Sequence, residues 1–153
     1  MTASSTASAL RGVGGFAVAA GTLLVAAGAG AWVAVTKQLQ AEKIDVPGDA
    51  PMLAGTRVQG PATAYVEALV IKRHAESAAG GRTFADISNA LRGIDGGSDE
   101  AAELRKQSVA LSTAASLRTS LMTSVLAYGV SAFAAGLGVF FLLAGSFLRR
   151  SGG

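Results

Sequence analysis

The chain has 153 residues and no cysteine, which excludes disulfides, thiol nucleophiles, thiolate metal sites and a lipidated cysteine anchor. Its one histidine, His74, excludes any site built from two imidazoles of one chain. Between residues 37 and 118 ten basic side chains balance ten acidic ones, and the net charge of +3 comes from Arg11, Arg149 and Arg150, so nucleic acid is not an expected partner.

Residues 1–11 are small and hydroxylated up to Arg11 and are expected to form a disordered tail. Residues 12–36 then make a continuous apolar stretch, and residues 121–148 make a second; Tyr128 carries the only ionisable group in either. At about 1.5 Å of helix rise per residue, each exceeds the roughly 20 residues that cross a bilayer core. A backbone in hydrocarbon must satisfy its own hydrogen bonds, and neither stretch alternates as a barrel strand does, so both are predicted to be transmembrane helices. Trp32 stands near the distal end of the first, where an indole suits the membrane interface. A cleaved signal peptide is the rival reading, with Arg11 as its basic region, residues 13–26 as its apolar region and Ala27-Gly28-Ala29 as its cleavage site. The apolar run continues past that site to full spanning length, which favours a retained anchor.

Both stretches are rich in small residues at four-residue spacing. Ala17/Gly21, Ala26/Gly30 and Ala27/Ala31 fall in the first; Ser131/Ala135, Ala132/Gly136 and Ala134/Gly138 fall in the second. Such pairs let helix backbones approach closely in lipid, so Ala17, Gly21, Ala26, Gly30, Ala132, Gly136, Ala134 and Gly138 are the candidate helix-packing positions. Their partner is the other span, a second copy, or a different integral membrane protein.

Residues 37–120 are expected to form a small, mainly helical extramembrane domain with a stalk. Pro47-Gly48-Asp49, Pro51 and Gly55 mark turns, with a short extended piece at residues 44–46. Gly60-Pro61 opens a helix whose apolar face is Tyr65, Val66, Leu69 and Val70, and Gly80-Gly81 ends it. Thr83 caps a second helix that places Phe84, Ile87 and Leu91 on one face and stops at Gly93. Ser98 caps a third, with Asp99, Glu100 and Glu103 in the first turn where the helix dipole favours negative charge. No proline follows, so one helix is predicted to run from there through the second span to Arg150. Residues 149–153 form a short tail.

Retention of both spans puts both termini on one side of a plasma membrane. Arg149 and Arg150 favour the cytoplasm for the termini, with the middle domain outside. The sequence contains no serine nucleophile elbow, phosphate loop or dinucleotide fingerprint, and the spans hold no Asp, Glu, Lys, Arg or His to mark an ion path. No cofactor, metal or catalytic residue is expected. Tyr65 and His74 are the candidate partner contacts of the middle domain.

The segments Gln38-Leu39-Gln40-Ala41-Glu42-Lys43-Ile44, Val46-Pro47, Gly60-Pro61, Ala64-Tyr65, His74 and Gly81-Arg82-Thr83-Phe84-Ala85 resemble a family of small two-span membrane proteins of actinobacteria. Members of that family are often labelled aromatic ring-opening dioxygenases. The resemblance implies a membrane location and an actinobacterial source, and it supplies no catalytic residues. A two-histidine, one-carboxylate iron site needs a second histidine, so ring cleavage is disfavoured on residues alone. The sequence therefore points to an all-α membrane hairpin serving as a non-catalytic accessory or scaffold subunit of an envelope or respiratory complex. A membrane-anchored sensor or ligand-binding module is the alternative.

Overall fold

The structure, a computed structural model, describes residues 2–152, with side chains from 6 to 152. Four helices make it up: α1 Thr2–Glu42, α2 Pro61–Ala78, α3 Phe84–Arg92 and α4 Asp99–Ser151. Among the described residues the only β structure is a single antiparallel bridge, Asp45 to Arg57. Two helices, α1 and α4, are long and apolar enough to cross a membrane. The chain divides into two units, one of residues up to Gln38 with those from Leu126 onward, the other Leu39–Val125.

The first unit is a pair of helices packed against each other along glycine. Gly14, Gly21 and Gly28 of α1 are buried, as are Ser131, Gly138 and Gly145 of α4. The pairing is antiparallel: a methyl group on Gly14 would stand 2.7 Å from the carbonyl oxygen of Gly145, one on Gly21 2.6 Å from that of Gly138, and one on Gly28 2.6 Å from that of Ser131. Side chains larger than hydrogen are thus excluded by backbone, which cannot step aside as a flexible side chain would. Helix α1 begins at Thr2, so the segment expected as a disordered tail is helical; the Ala7 carbonyl lies 2.7 Å from the methyl position of Gly152, and this contact gives those turns a partner. Helix α4 likewise continues through Arg149 and Arg150 to Ser151.

In the second unit each boundary has a local cause. Lys43, in the left-handed region at φ 53°, ends α1. The chain then forms the bridge, in which Val46 donates to the Thr56 carbonyl at 2.9 Å and Val58 to that of Ile44 at 2.9 Å. Pro61 occupies the first turn of α2, and the Thr63 hydroxyl accepts from the Gly60 N–H at 3.2 Å, meeting an otherwise orphaned donor. Gly80 and Gly81, at φ 66° and 79°, end α2 by returning their N–H groups to the carbonyls of Ser77 and Glu76. Thr83 caps α3 by accepting from the Asp86 N–H, while the Asp86 carboxylate accepts from the Thr83 N–H at 2.9 Å. Ser98 caps α4 by accepting from the Ala101 N–H at 3.1 Å. The core joins Ala79, Ile87, Leu104 and Leu111, with Ala75, Ala90, Leu91 and Ile94 around it.

The buried face of α2 is rotated from the one its large apolar residues predict. Val66 and Val70 are buried as expected, but Ala64, Glu67 and Ala68 join them, while Tyr65 and Leu69 stand 46% and 42% exposed. Alanines let the helix axis approach its neighbours more closely than a Tyr or Leu face allows, and close packing recovers dispersion contact. Phe84 of α3 also points outward, leaving Ile87 as the buried anchor of that helix.

Candidate functional site

The first candidate is the glycine seam of the first unit. Its contacts recur every seven residues: Ala7, Gly14, Gly21 and Gly28 on α1 face Gly152, Gly145, Gly138 and Ser131 on α4. A seven-residue repeat keeps one edge of a helix against its partner, as in a coiled coil. Here that edge is paved with hydrogen atoms, so the Cα–H of Gly21 points at the Gly138 carbonyl and that of Gly138 at the Gly21 carbonyl. Reciprocal Cα–H···O contacts of this kind contribute about 0.5–1 kcal/mol each. Between glycine layers the neighbouring side chains close over the gap; Leu142 covers Gly21, Val25 covers Gly138 and Ala135 covers Gly28.

Of the positions singled out from sequence, the seam contains Gly21, Gly138, the pair Ser131/Ala135 against Gly28, and Ala17, whose Cβ lies 3.0 Å from the methyl position of Gly145. Ala134 is half-buried. The structure places Ala26 and Ala132 on the exposed surface, and Gly30 and Gly136 have nothing within 4 Å of their methyl positions. Gly14, Gly28, Gly145 and Gly152 are seam residues outside the four-residue pairs. Their signal is nonetheless in the sequence, because Gly14-Gly21-Gly28 and Gly138-Gly145-Gly152 repeat at seven.

The glycine seam gives way to a polar and aromatic lock at the end nearer Thr36. Tyr128 is buried, its hydroxyl is 2.7 Å from that of Thr36, and its ring meets Trp32 edge to face at 4.6 Å. A hydroxyl in apolar surroundings needs such a partner, and the Thr36 side chain in turn donates back to the Trp32 carbonyl at 3.0 Å. Elsewhere the arrangement is inside-out for a protein in water. Val13, Phe16, Leu23, Val33, Phe133, Phe140, Leu143 and Phe147 are exposed while glycines are buried.

The second candidate surrounds His74 in the second unit. His74 Nε2 and the Arg73 guanidinium both lie 2.7 Å from Asp49 Oδ2, and Arg73 also donates to the Asp49 carbonyl at 3.0 Å. The His74 hydrogen bond and the adjacent positive charges hold the Asp49 carboxyl below its usual value. All three side chains are about half-exposed, so the cluster works as a latch fastening the turn after Pro47 to α2. Two helical turns back along α2, Glu67 is 6% exposed and its Oε2 has no hydrogen-bond partner. Desolvation pushes its carboxyl up, against the opposing charge of His74. On the same side of α2, a cavity of about 340 Å³ is lined by Ile71, His74 and Ala75 with Gln107, Ala110 and Ala114 of α4. Tyr65 is exposed on α2 and does not line this cavity. Among the described residues no group of three or more His, Asp or Glu is placed to hold a metal ion.

Comparisons with protein-family models, with curated proteins and with solved structures find no match to this chain.

Proposed function

We propose that the chain is a two-span membrane protein, a hairpin with its termini in the cytoplasm and its middle domain outside, and that it serves as a non-catalytic accessory or scaffold subunit of a larger membrane complex. The inside-out distribution of the first unit carries the reading. Glycines are spent on an internal seam while large apolar side chains face outward, which is favourable in lipid and costly in water. A membrane helix pair also leaves free surface for association, and two rows of small residues, Ala26/Gly30 and Ala132/Gly136, remain outside the seam. Such rows admit a further helix at close range. An actinobacterial cell envelope is the setting that the sequence resemblance implies, and a respiratory assembly is one host of suitable kind.

Affinity purification of the full chain from mild-detergent membranes, with mass spectrometry of what accompanies it, tests this. A stoichiometric larger partner is expected, and Gly30→Leu with Gly136→Leu is expected to release it while the chain itself stays folded. Recovery of the chain alone, with those substitutions silent, overturns the reading. The cavity beside His74 favours one second reading, a ligand-binding outer module for a small, largely apolar compound. A compound that raises the melting temperature of the wild-type chain but not of Ala110→Phe would support it.

A further inference from the structure

Three arginines gather at the end of the helix pair where Ala7 meets Gly152. Arg11 comes from α1, and Arg149 and Arg150 come from α4. They do not simply extend from helix ends. The glycine seam lets two of them cross to the opposite helix: the Arg149 Cγ lies 2.8 Å from the methyl position of Gly14, and the Arg11 Cγ lies 3.2 Å from that of Gly152. Each stem therefore rests on a bare stretch of the partner's backbone, and the two helices exchange arginines across the seam. Arg11, Arg149 and Arg150 line a cleft of about 640 Å³ with Gly15 and Ser146. Ser146, another residue of α4, brings a neutral hydroxyl-bearing side chain to the same lining.

The charge of this cleft is not neutralised by side chains. The sequence has no Asp or Glu before Glu42 or after Glu103, and none of the three guanidiniums joins an ion pair among the described residues. Three like charges held together repel one another, and an anion between them removes that repulsion. Guanidinium forks match phosphate oxygens two at a time, and stems pinned on glycine lose less freedom when they bind. The cleft opens where two apolar helices end, which is the level of lipid headgroups if the helices span a bilayer.

We infer that this cleft binds the phosphate of an anionic phospholipid, and that a headgroup carrying two phosphates fits three guanidiniums better than one carrying one. The inference rests on the membrane reading above. Basic residues that merely orient a span would act through the membrane field and show no preference among headgroups in detergent; this cleft selects.

The test uses the full chain in uncharged detergent, with thermal unfolding followed through Trp32 fluorescence. Cardiolipin, phosphatidylglycerol, phosphatidylcholine and inorganic phosphate are added separately. Saturating cardiolipin is expected to raise the melting temperature by about 5 °C, phosphatidylglycerol by less, and phosphatidylcholine not at all. Arg11→Gln with Arg149→Gln should abolish the rise. Arg149→Lys, which keeps the charge and the stem, should reduce it and guards against loss of folding in the double variant. Equal shifts with phosphatidylcholine, or a full shift in the double variant, overturn the site. A shift with inorganic phosphate as large as that with lipid overturns the lipid source in favour of a soluble phosphate ligand. Carbonate extraction of membranes separates the two levels: a chain that stays in the pellet yet ignores headgroups loses only this site, whereas a chain released by carbonate loses the membrane reading as well.

Discussion

Glu67 is buried with an unmet carboxylate oxygen on a helix that is otherwise packed with Ala and Val. Its raised value, above the ordinary 4.5, means the folded chain binds that proton more tightly than the unfolded chain does. The contribution is fully present below the unfolded value and is lost as pH rises through the raised one, where burial penalises the charge. Glu67→Gln is therefore expected to raise the melting temperature by about 3 °C at pH 7.5, with the gain shrinking towards zero at pH 4. Melting curves of the two proteins across that range check it; a gain independent of pH would show that charge burial is not the cause. Tyr128 poses the opposite case, a buried polar group with a partner. Tyr128→Phe removes the hydroxyl bonded to Thr36 and is expected to cost about 1 kcal/mol. Because Trp32 packs on the same ring, its fluorescence reports both the loss and any rearrangement.

Helix boundaries in the second unit follow from single residues with specific chemistry. Thr83 and Asp86 exchange backbone and side-chain hydrogen bonds, and α3 is only nine residues long, so its first turn is a large share of it. Thr83→Ala is expected to destabilise the chain by about 1 kcal/mol, measured by chemical denaturation in detergent, whereas Thr83→Ser should retain most of the cap. These boundaries were legible from sequence: Pro61 starts α2, Gly80-Gly81 end it, Thr83 and Gly93 bracket α3, and Ser98 starts α4. Caps and glycine stops act within a few residues, so no knowledge of the rest of the fold is needed to place them. The face that α2 buries was not legible. Tyr65 and Leu69 against Ala64 and Ala68 is a choice between size and closeness of approach, and the neighbours decide it.

At the scale of the whole molecule, the apolar stretches of the two long helices, residues 12–36 and 121–148, are apolar on nearly all sides, and hydrophobicity alone therefore cannot say which edge of each meets the other. Space does. At Gly21 and Gly138 a methyl group would press on the opposing backbone at 2.6–2.7 Å, whereas at Gly30 and Gly136 it would meet nothing. Gly21→Ala and Gly138→Ala are each expected to cost about 1–3 kcal/mol through overpacking. Gly30→Ala and Gly136→Ala are expected to be neutral or to stabilise by up to about 1 kcal/mol through helix propensity. Denaturation by increasing mole fraction of an ionic detergent, followed by helix content, orders the four variants; equal costs at all four positions would contradict the seam.

Length and apolar runs sufficed to set the number of long helices, their limits to within a few turns, and the charged segment between them, since these depend on composition and on signals local to the chain. The helical state of residues 2–11 was outside their reach, and so was the approach of Ala7, Leu10 and Arg11 to Gly152 at the far end of the sequence. So was the pairing of Gly14 with Gly145 and the crossing of Arg11 and Arg149. The seven-residue repeats were visible as letters, but four-residue and seven-residue rows of small residues overlap on the same helices. Only the antiparallel register of α1 against α4 decided which row became the interface, because close approach of two backbones is a property of both helices together and of neither alone.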